Sequence, residues 1–242
     1  MTIPARVLGR TGAEVSVLGY GAMELRGQFS GPLSQLSGPA ITDEDAGRLL
    51  NELLDAGVNL IDTSVDYGHS EELIGRYLGS RRSEFFLASK CGCPVSPPPD
   101  AVTIGQHDYS AANVRADVEQ SLRRLQTDHL DLVQVHLSPP RGEMEASGTI
   151  EALQRLRAEG KVRFIGMSGT LPNLPDHIAM GVFDVFQIPY SALQPEHDEL
   201  ITRAAAAGAG VLIRGGVARG TASEDKNWTV QPLSSKIGRA HV

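Results

Sequence analysis

The chain has 242 residues, a length that suits one large α/β domain better than two domains joined by a linker. Hydrophobic residues make up 41% and charged residues 21%, so the chain can build a sizeable core and lacks the composition of a disordered protein. The formal net charge of −7 argues against binding to nucleic acid or anionic lipid, and the 2 cysteines cannot form a disulfide framework. Without an apolar run of membrane-spanning length or a secretory signal, we expect a soluble, cytoplasmic protein.

The N-terminal part of the sequence predicts a hairpin, a strand and a helix. Residues 5–15 predict two short strands around a Gly-containing turn, and residues 15–19 predict a buried strand. Thr42 is followed by three acidic residues, a pattern typical of a helix N-terminus, where carboxylates suit the helix dipole. We expect this helix to end near Gly57, because glycine favours helix C-termini.

The rest of the sequence alternates short β-branched segments with amphipathic stretches. Strands are predicted near residues 60, 87, 133, 165, 186 and 212. Helices are predicted to begin at Ser70 and Ser110 and to lie around residues 150–156, 176–179 and 196–207. Regular alternation of this kind predicts a parallel sheet with right-handed crossovers.

Two parallel architectures fit this alternation, an open doubly wound sheet and a closed eight-stranded barrel. The open sheet usually carries G-x-G-x-x-G after its first strand, and the segment that begins at Gly19 lacks the third glycine. Polar residues stand instead at the C-terminal ends of many strands, where eight-stranded barrels build their active sites. We therefore predict a protein of the α/β class with a (β/α)8 TIM barrel.

The predicted barrel is incomplete, with about seven strands present. The residues after Ile213 show neither helical nor strand periodicity, and too few remain for the missing strand and helices. We expect residues 1–242 to form a single barrel domain that is truncated at its C-terminus. Residues 237–242 resemble the translation of a sequencing adapter, so we interpret them as a non-native tail.

Three consecutive predicted strands bring titratable side chains to the same end of the barrel. Asp62, Lys90 and His136 each end a strand, and Tyr67 follows Asp62 by five residues. A nearby ammonium lowers the pKa of a phenol, so we expect Lys90 to make Tyr67 a better proton donor, with Asp62 keeping Lys90 protonated. His136 can hydrogen-bond the same substrate oxygen. These groups suit carbonyl reduction but supply no hydride, which a nicotinamide cofactor would provide.

The sequence resembles the aldo-keto reductase superfamily in five segments that occur in family order. Together they extend the resemblance from the opening hairpin to about residue 220. The segments are Asp62-Thr-Ser-x-x-Tyr67-Gly-x-Ser-Glu71, Ala88-Ser-Lys90, Asp128-x-Leu-Asp-Leu-Val-Gln-Val-His136, Gly160-Lys-Val-Arg-x-Ile-Gly-Met-Ser168 and Gln187-x-x-Tyr-Ser191.

The resemblance implies a (β/α)8 barrel that reduces aldehydes or ketones to alcohols with hydride from NADPH. It implies a catalytic tetrad, and it implies that Ser168 and Gln187 contact the nicotinamide amide. We also assign Met23 and Arg214 to the cofactor site, where Arg214 stands in place of the family's aromatic residue and can stack on a ring or meet a phosphate. The tetrad residues are Tyr67, Lys90, Asp62 and His136.

Other interpretations remain open. Gly169 follows Ser168 where the family usually has asparagine, which removes one contact to the cofactor amide. The alternative function is a nucleotide-binding barrel subunit with a regulatory or sensor role and no efficient catalysis. Cys91 and Cys93 suggest a metal site with His69 or His107, but a C-x-C pair alone is a weak zinc signal, so we expect no metal. The expected partner is a small-molecule carbonyl compound, and the sequence does not predict an oligomeric state.

Overall fold

Parallel strands alternate with helices along the chain in the computed structural model, which describes residues 3–27, 41–93 and 107–216. The strands are β1 (Ala5–Val7), β2 (Glu14–Ser16), β3 (Tyr20–Gly21), β4 (Leu60–Asp62), β5 (Phe86–Cys91), β6 (Leu130–Val135), β7 (Val162–Ser168), β8 (Val185–Pro189) and β9 (Gly210–Arg214). The helices are α1 (Asp43–Asp55), α2 (Ser70–Leu78), α3 (Ala111–Leu125), α4 (Arg141–Ser147), α5 (Thr149–Ala158), α6 (Leu174–Met180) and α7 (Asp198–Ala206).

One parallel sheet organises the described residues. Its seven strands follow the order of the sequence from β3 to β9, and each pairs in parallel with the next. The sheet curls into a half-barrel with the helices packed outside it. The predicted α/β class and the seven strands of an incomplete barrel are therefore confirmed. The extent of the domain stays a prediction, and the tail predicted at residues 237–242 lies outside the described residues.

Side-chain caps explain where two of the helices begin. The Thr42 hydroxyl accepts a hydrogen bond from the backbone N–H of Asp45 at 3.1 Å, and Ser110 does the same for Asn113 at 3.3 Å. Each contact satisfies a backbone donor that the first helical turn leaves unpaired. Both caps agree with the sequence predictions, whereas the short helix α4 was not predicted. No helix of the described ranges is long and apolar enough to cross a membrane.

The core has two layers, one on each face of the curled sheet. The outer layer lies between the strands and the helices and contains residues such as Ile74, Val118 and Leu153. The inner layer fills the barrel near the amino ends of the strands, where the hairpin β1–β2 contributes two side chains. The members of this inner cluster are Leu8, Val15, Leu60, Phe86, Ala88, Leu132 and Val185. Apolar packing at this end leaves the carboxyl ends of the strands for polar groups.

The predicted buried strand at residues 15–19 is wrong. Val15 pairs antiparallel with Arg6 inside the hairpin, and the first strand of the barrel is the two-residue β3 that follows. Between them, the side chains of Val17 and Leu18 are 46% and 62% exposed. The hydrophobic run therefore ends the hairpin and turns outward, and pairing with β4 begins only at Tyr20 and Gly21, opposite Ile61 and Asp62.

Candidate active site

Lys90 lies at the centre of the polar cluster at the carboxyl ends of the strands. Its ammonium, on β5, is 2.7 Å from Asp62 Oδ2 at the end of β4 and donates to the Thr63 carbonyl oxygen at 2.7 Å. The Lys90 side chain is 1% exposed. Burial lowers the pKa of Lys90, but the Asp62 carboxylate and Tyr67 more than offset it, so the net pKa is raised. Lys90 is therefore a buried cation at neutral pH.

Tyr67 follows β4 in a turn that carries its ring over Lys90. The Lys90 Nζ atom is 4.8 Å from the centroid of the Tyr67 ring. Burial raises the pKa of Tyr67 above its ordinary value, and the positive charge of Lys90 opposes this rise without cancelling it. Lys90 lowers the phenol pKa, as the sequence predicted, but burial of the ring is the larger effect, so the net pKa is raised.

His136 stands directly after β6, next to both Tyr67 and the end of β5. Its ring meets the Tyr67 ring edge to face, with centroids 6.3 Å apart and planes at 75°. Its Nδ1 atom lies 3.2 Å from Cys93 Sγ and 3.6 Å from Asp66 Oδ2. Burial lowers the pKa of His136 to about 4, so the imidazole is neutral at pH 7.

The four residues predicted as a catalytic set are thus neighbours in the structure. A fifth residue, Gln134 on β6, was not predicted and donates from Nε2 to Asp62 Oδ1 at 2.8 Å. It is fully buried and its register partner is Lys90. The available signal was a polar side chain inside the apolar run of β6, two residues before His136.

Two of the predicted cofactor residues meet on adjacent strands. Ser168 ends β7 and pairs in register with Gln187 on β8, and the Ser168 hydroxyl is 3.2 Å from Gln187 Oε1. Gly169 follows, and a Cβ atom there would lie 2.9 Å from Leu174 Cδ1 and 3.1 Å from Met167 Cγ. The asparagine expected from the resemblance would therefore require these neighbours to move.

A cavity of about 1130 Å³ lies between β3 and β9, the two outer strands of the described sheet. Asp62, Gln187 and Arg214 line it, so it joins the tetrad to the end of β9. Most of its lining comes from the hairpin and from β9 with the residues beside it, so the cavity is the gap between the two outer strands of the half-barrel. Ser168 and Met23 do not line it, and Met23 lies 43% exposed in the 3₁₀ helix Ala22–Arg26.

Comparison with known sequences defines the class of protein to which this geometry belongs. The sequence model of the Aldo/keto reductase family matches residues 17–236. The chain is a member of the aldo/keto reductase family, which confirms the resemblance seen in the sequence. The family generally uses nicotinamide cofactors.

Particular relatives support the same assignment. The chain is 37% identical over 174 residues to L-galactose dehydrogenase of Arabidopsis thaliana, a match that covers 69% of this chain and 49% of that protein. It is 29% identical over 176 residues to D-threo-aldose 1-dehydrogenase of a Pseudomonas species, covering 64% of this chain and 50% of that one. The chain therefore spans about half the length of these two curated relatives.

Solved structures agree on the fold. The holo form of an aldo-keto reductase from Bacillus halodurans aligns with a TM-score of 0.76 and 29% identity, over 98% of this chain and 72% of that one. A putative aldo-keto reductase from Pseudomonas aeruginosa aligns with a TM-score of 0.72 and 32% identity, over 88% and 78% of the two chains. These neighbours are (β/α)8 barrels, so the half-barrel here is the barrel fold that the sequence predicted.

Proposed function

We propose that this chain carries the catalytic groups of an oxidoreductase that reduces aldehydes or ketones to alcohols with hydride from NADPH. The observation that carries the proposal is the position of Lys90, between the Asp62 carboxylate at 2.7 Å and the Tyr67 ring at 4.8 Å. A buried cation next to a phenol stabilises the phenolate that remains after proton transfer. A protein that only binds a nucleotide has no use for this arrangement.

Tyr67 is the proton donor in the proposed reaction. The nicotinamide supplies hydride to the carbonyl carbon when it is bound. Negative charge then develops on the substrate oxygen, and the Tyr67 hydroxyl transfers its proton to that oxygen. Asp62 holds Lys90 in place, and Gln134 holds Asp62 through its other carboxylate oxygen, so that the Lys90 charge faces the phenolate as it forms.

His136 orients the carbonyl in this proposal. Burial raises the pKa of the Cys93 thiol, so the sulfur keeps its proton and can donate it to His136 Nδ1 across 3.2 Å. The neutral imidazole then carries its own proton on Nε2, where it can donate to the substrate oxygen. Cys93 acts through His136 and is a positioning residue.

The cofactor residues are assigned from their polar groups and from their positions in the family pattern. Ser168 and Gln187 offer a hydroxyl and an amide on adjacent strand ends, which match the donor and acceptor of a carboxamide. Arg214, which stands in place of the family's aromatic residue, is assigned to a phosphate or to stacking, and Met23 is assigned to the cofactor site. The two cysteines of the described residues are free thiols, which agrees with the proposed location in the cytoplasm.

The test replaces only the proton donor. We expect Tyr67→Phe to lower kcat about 10²- to 10⁴-fold with aldehydes such as nitrobenzaldehyde. NADPH affinity, followed by quenching of protein fluorescence, should stay unchanged because the ring is kept. Tyr77→Phe, a matched change on α2, should retain full activity. Turnover of Tyr67→Phe close to that of Tyr77→Phe would overturn the assignment.

The reverse reaction is a second candidate. Two relatives are named as dehydrogenases of sugars, and the same groups can remove a proton from an alcohol when the hydride moves to an oxidised nicotinamide. Rates with L-galactose and oxidised cofactor, compared with rates of aldehyde reduction, separate the two directions. Cofactor binding without turnover in either direction would favour the regulatory alternative.

A further inference from the structure

Four side chains with metal-binding atoms converge beside the carbonyl site. Asp66, Cys93, His107 and His136 each offer one ligand atom, and these four atoms all lie within 4.8 Å of one another. Their chemistry is mixed, with one thiol, two imidazoles and one carboxylate. Zinc is bound in proteins by this set of atoms and usually takes four of them.

The spacing of these atoms agrees with a tetrahedral zinc ion. Zinc–ligand bonds of about 2.0–2.3 Å place neighbouring ligand atoms about 3.3–3.8 Å apart in a tetrahedron. Cys93 Sγ lies 3.2 Å from His136 Nδ1 and 3.8 Å from His107 Nε2. His136 Nδ1 lies 3.6 Å from Asp66 Oδ2. Shifts of a few tenths of an ångström would bring these three contacts to the tetrahedral values, and the remaining separations, which reach at most 4.8 Å, would have to shorten by up to about 1 Å.

The backbone fixes the two ligands nearest the sheet. Gly92 has a φ of 89°, which turns the chain after β5. The Cys93 side chain therefore no longer follows the alternating side-chain directions of the strand. The Gly92 N–H donates to Asp117 Oδ2 at 2.8 Å, and Asn113 Nδ2 donates to the Cys93 carbonyl at 2.8 Å. The His136 backbone N–H donates to the Cys91 carbonyl at 3.0 Å. Both ligands are therefore held in place independently of a metal.

A further feature of the cluster points to a cation. The Oδ1 atom of Asp66 is buried and has no hydrogen-bond partner among the described residues. A buried carboxylate oxygen without a partner is costly, and a cation at this point would satisfy it. The Asp66 side chain is still 27% exposed, which leaves a path for an ion from solvent.

We propose that Asp66, Cys93, His107 and His136 bind one zinc ion, with the Cys93 proton released to solvent on binding. This site differs from the one that the sequence suggested and discounted, because a single cysteine takes part and the other ligands come from three separate segments. The site shares His136 and Cys93 with the proposed carbonyl reduction: zinc would replace the Cys93 proton at His136 Nδ1 and leave Nε2 able to donate. The tests below measure metal binding and not turnover, so failure of one proposal is distinguishable from failure of the other.

Cobalt is the probe, because it reports its ligands by absorption. We expect one equivalent of Co²⁺, added to the full chain after treatment with a chelator, to give tetrahedral visible bands and a near-ultraviolet band from sulfur-to-cobalt charge transfer. Zn²⁺ should then displace cobalt and bleach both bands. A pale octahedral spectrum without charge transfer would overturn the proposal.

Matched variants locate the site. Cys93→Ala should abolish the charge-transfer band, whereas Cys91→Ala, two residues away and buried in the core, should keep it. His107→Gln should weaken Zn²⁺ binding at least about tenfold in competition with a chromophoric chelator and leave far-ultraviolet circular dichroism unchanged. Full zinc affinity in His107→Gln, or an unaltered band in Cys93→Ala, would overturn the proposal.

Discussion

Replacing Lys90 by methionine tests the ion pair at the centre of the site. Met has similar length and keeps the packing, but Asp62 loses its cation and keeps the hydrogen bond from Gln134. Removing one partner of a buried ion pair lowers stability by about 3–5 kcal/mol. Because the Asp62 side chain is 17% exposed, we expect a loss at the low end of this range, about 3 kcal/mol. For a domain of this size, that loss lowers Tm by about 6–12 °C.

Thermal unfolding followed by circular dichroism at pH 7 measures this loss. Because the pKa of Lys90 is raised in the folded state, its contribution to the free energy of unfolding is fully present below its pKa in the unfolded chain, about 10.4. That contribution is lost only as the pH rises through the pKa of the folded state. Lys161→Met removes a lysine that is 31% exposed and should cost at most about 1 kcal/mol. Adding Asp62→Asn to Lys90→Met should recover part of the loss. The reasoning is refuted if Lys90→Met and Lys161→Met are equally stable.

Three further predictions concern groups around the site and the fold. Gln134→Leu removes the hydrogen bond to Asp62 and should cost about 1.5–3 kcal/mol in urea unfolding, and an unchanged midpoint would contradict it. Burial raises the pKa of Asp117 to about 8, so the native state keeps a proton that the unfolded chain releases near pH 4. The free energy of unfolding should therefore fall as the pH rises from about 4 to about 8. Asp117→Asn should flatten that slope, whereas parallel curves would argue against it. Thr42→Ala removes the cap of α1 and should cost about 1 kcal/mol, with Thr42→Ser as the control that retains it.

Most of the fold could be predicted because its signals are local. The caps at Thr42 and Ser110 and the apolar runs of the later strands lie within a few residues of the elements that they define. The first barrel strand could not be found in this way. Its two residues, Tyr20 and Gly21, carry no periodicity, and the stronger apolar run before them belongs to the hairpin. A tertiary pairing, rather than local propensity, decides that boundary.

The proximity of the four proposed catalytic residues could be predicted because each stands at or just after a strand end, and parallel strands bring those ends together. The zinc cluster could not be predicted on the same basis. Asp66 and His107 lie in loops, and the position of His107 relative to Cys93 depends on contacts such as the stacking of its ring on Tyr109, with centroids 5.9 Å apart. Sequence spacing does not reveal that contact, so the Cys91-x-Cys93 pair alone gave no reason to expect a site with four ligands.

The pKa of Tyr67 explains why the site needs both burial and a cation. A phenol with its ordinary pKa of about 10 is already protonated at pH 7, and burial raises the pKa of Tyr67 further. A buried phenol alone would release that proton reluctantly, because the phenolate would have no partner. Lys90 supplies the partner, and Asp62 keeps Lys90 charged in a position where an isolated ammonium would lose its proton. In the proposed reaction, Lys90 therefore acts mainly on the state after proton transfer, and its removal should slow turnover more than it weakens cofactor binding.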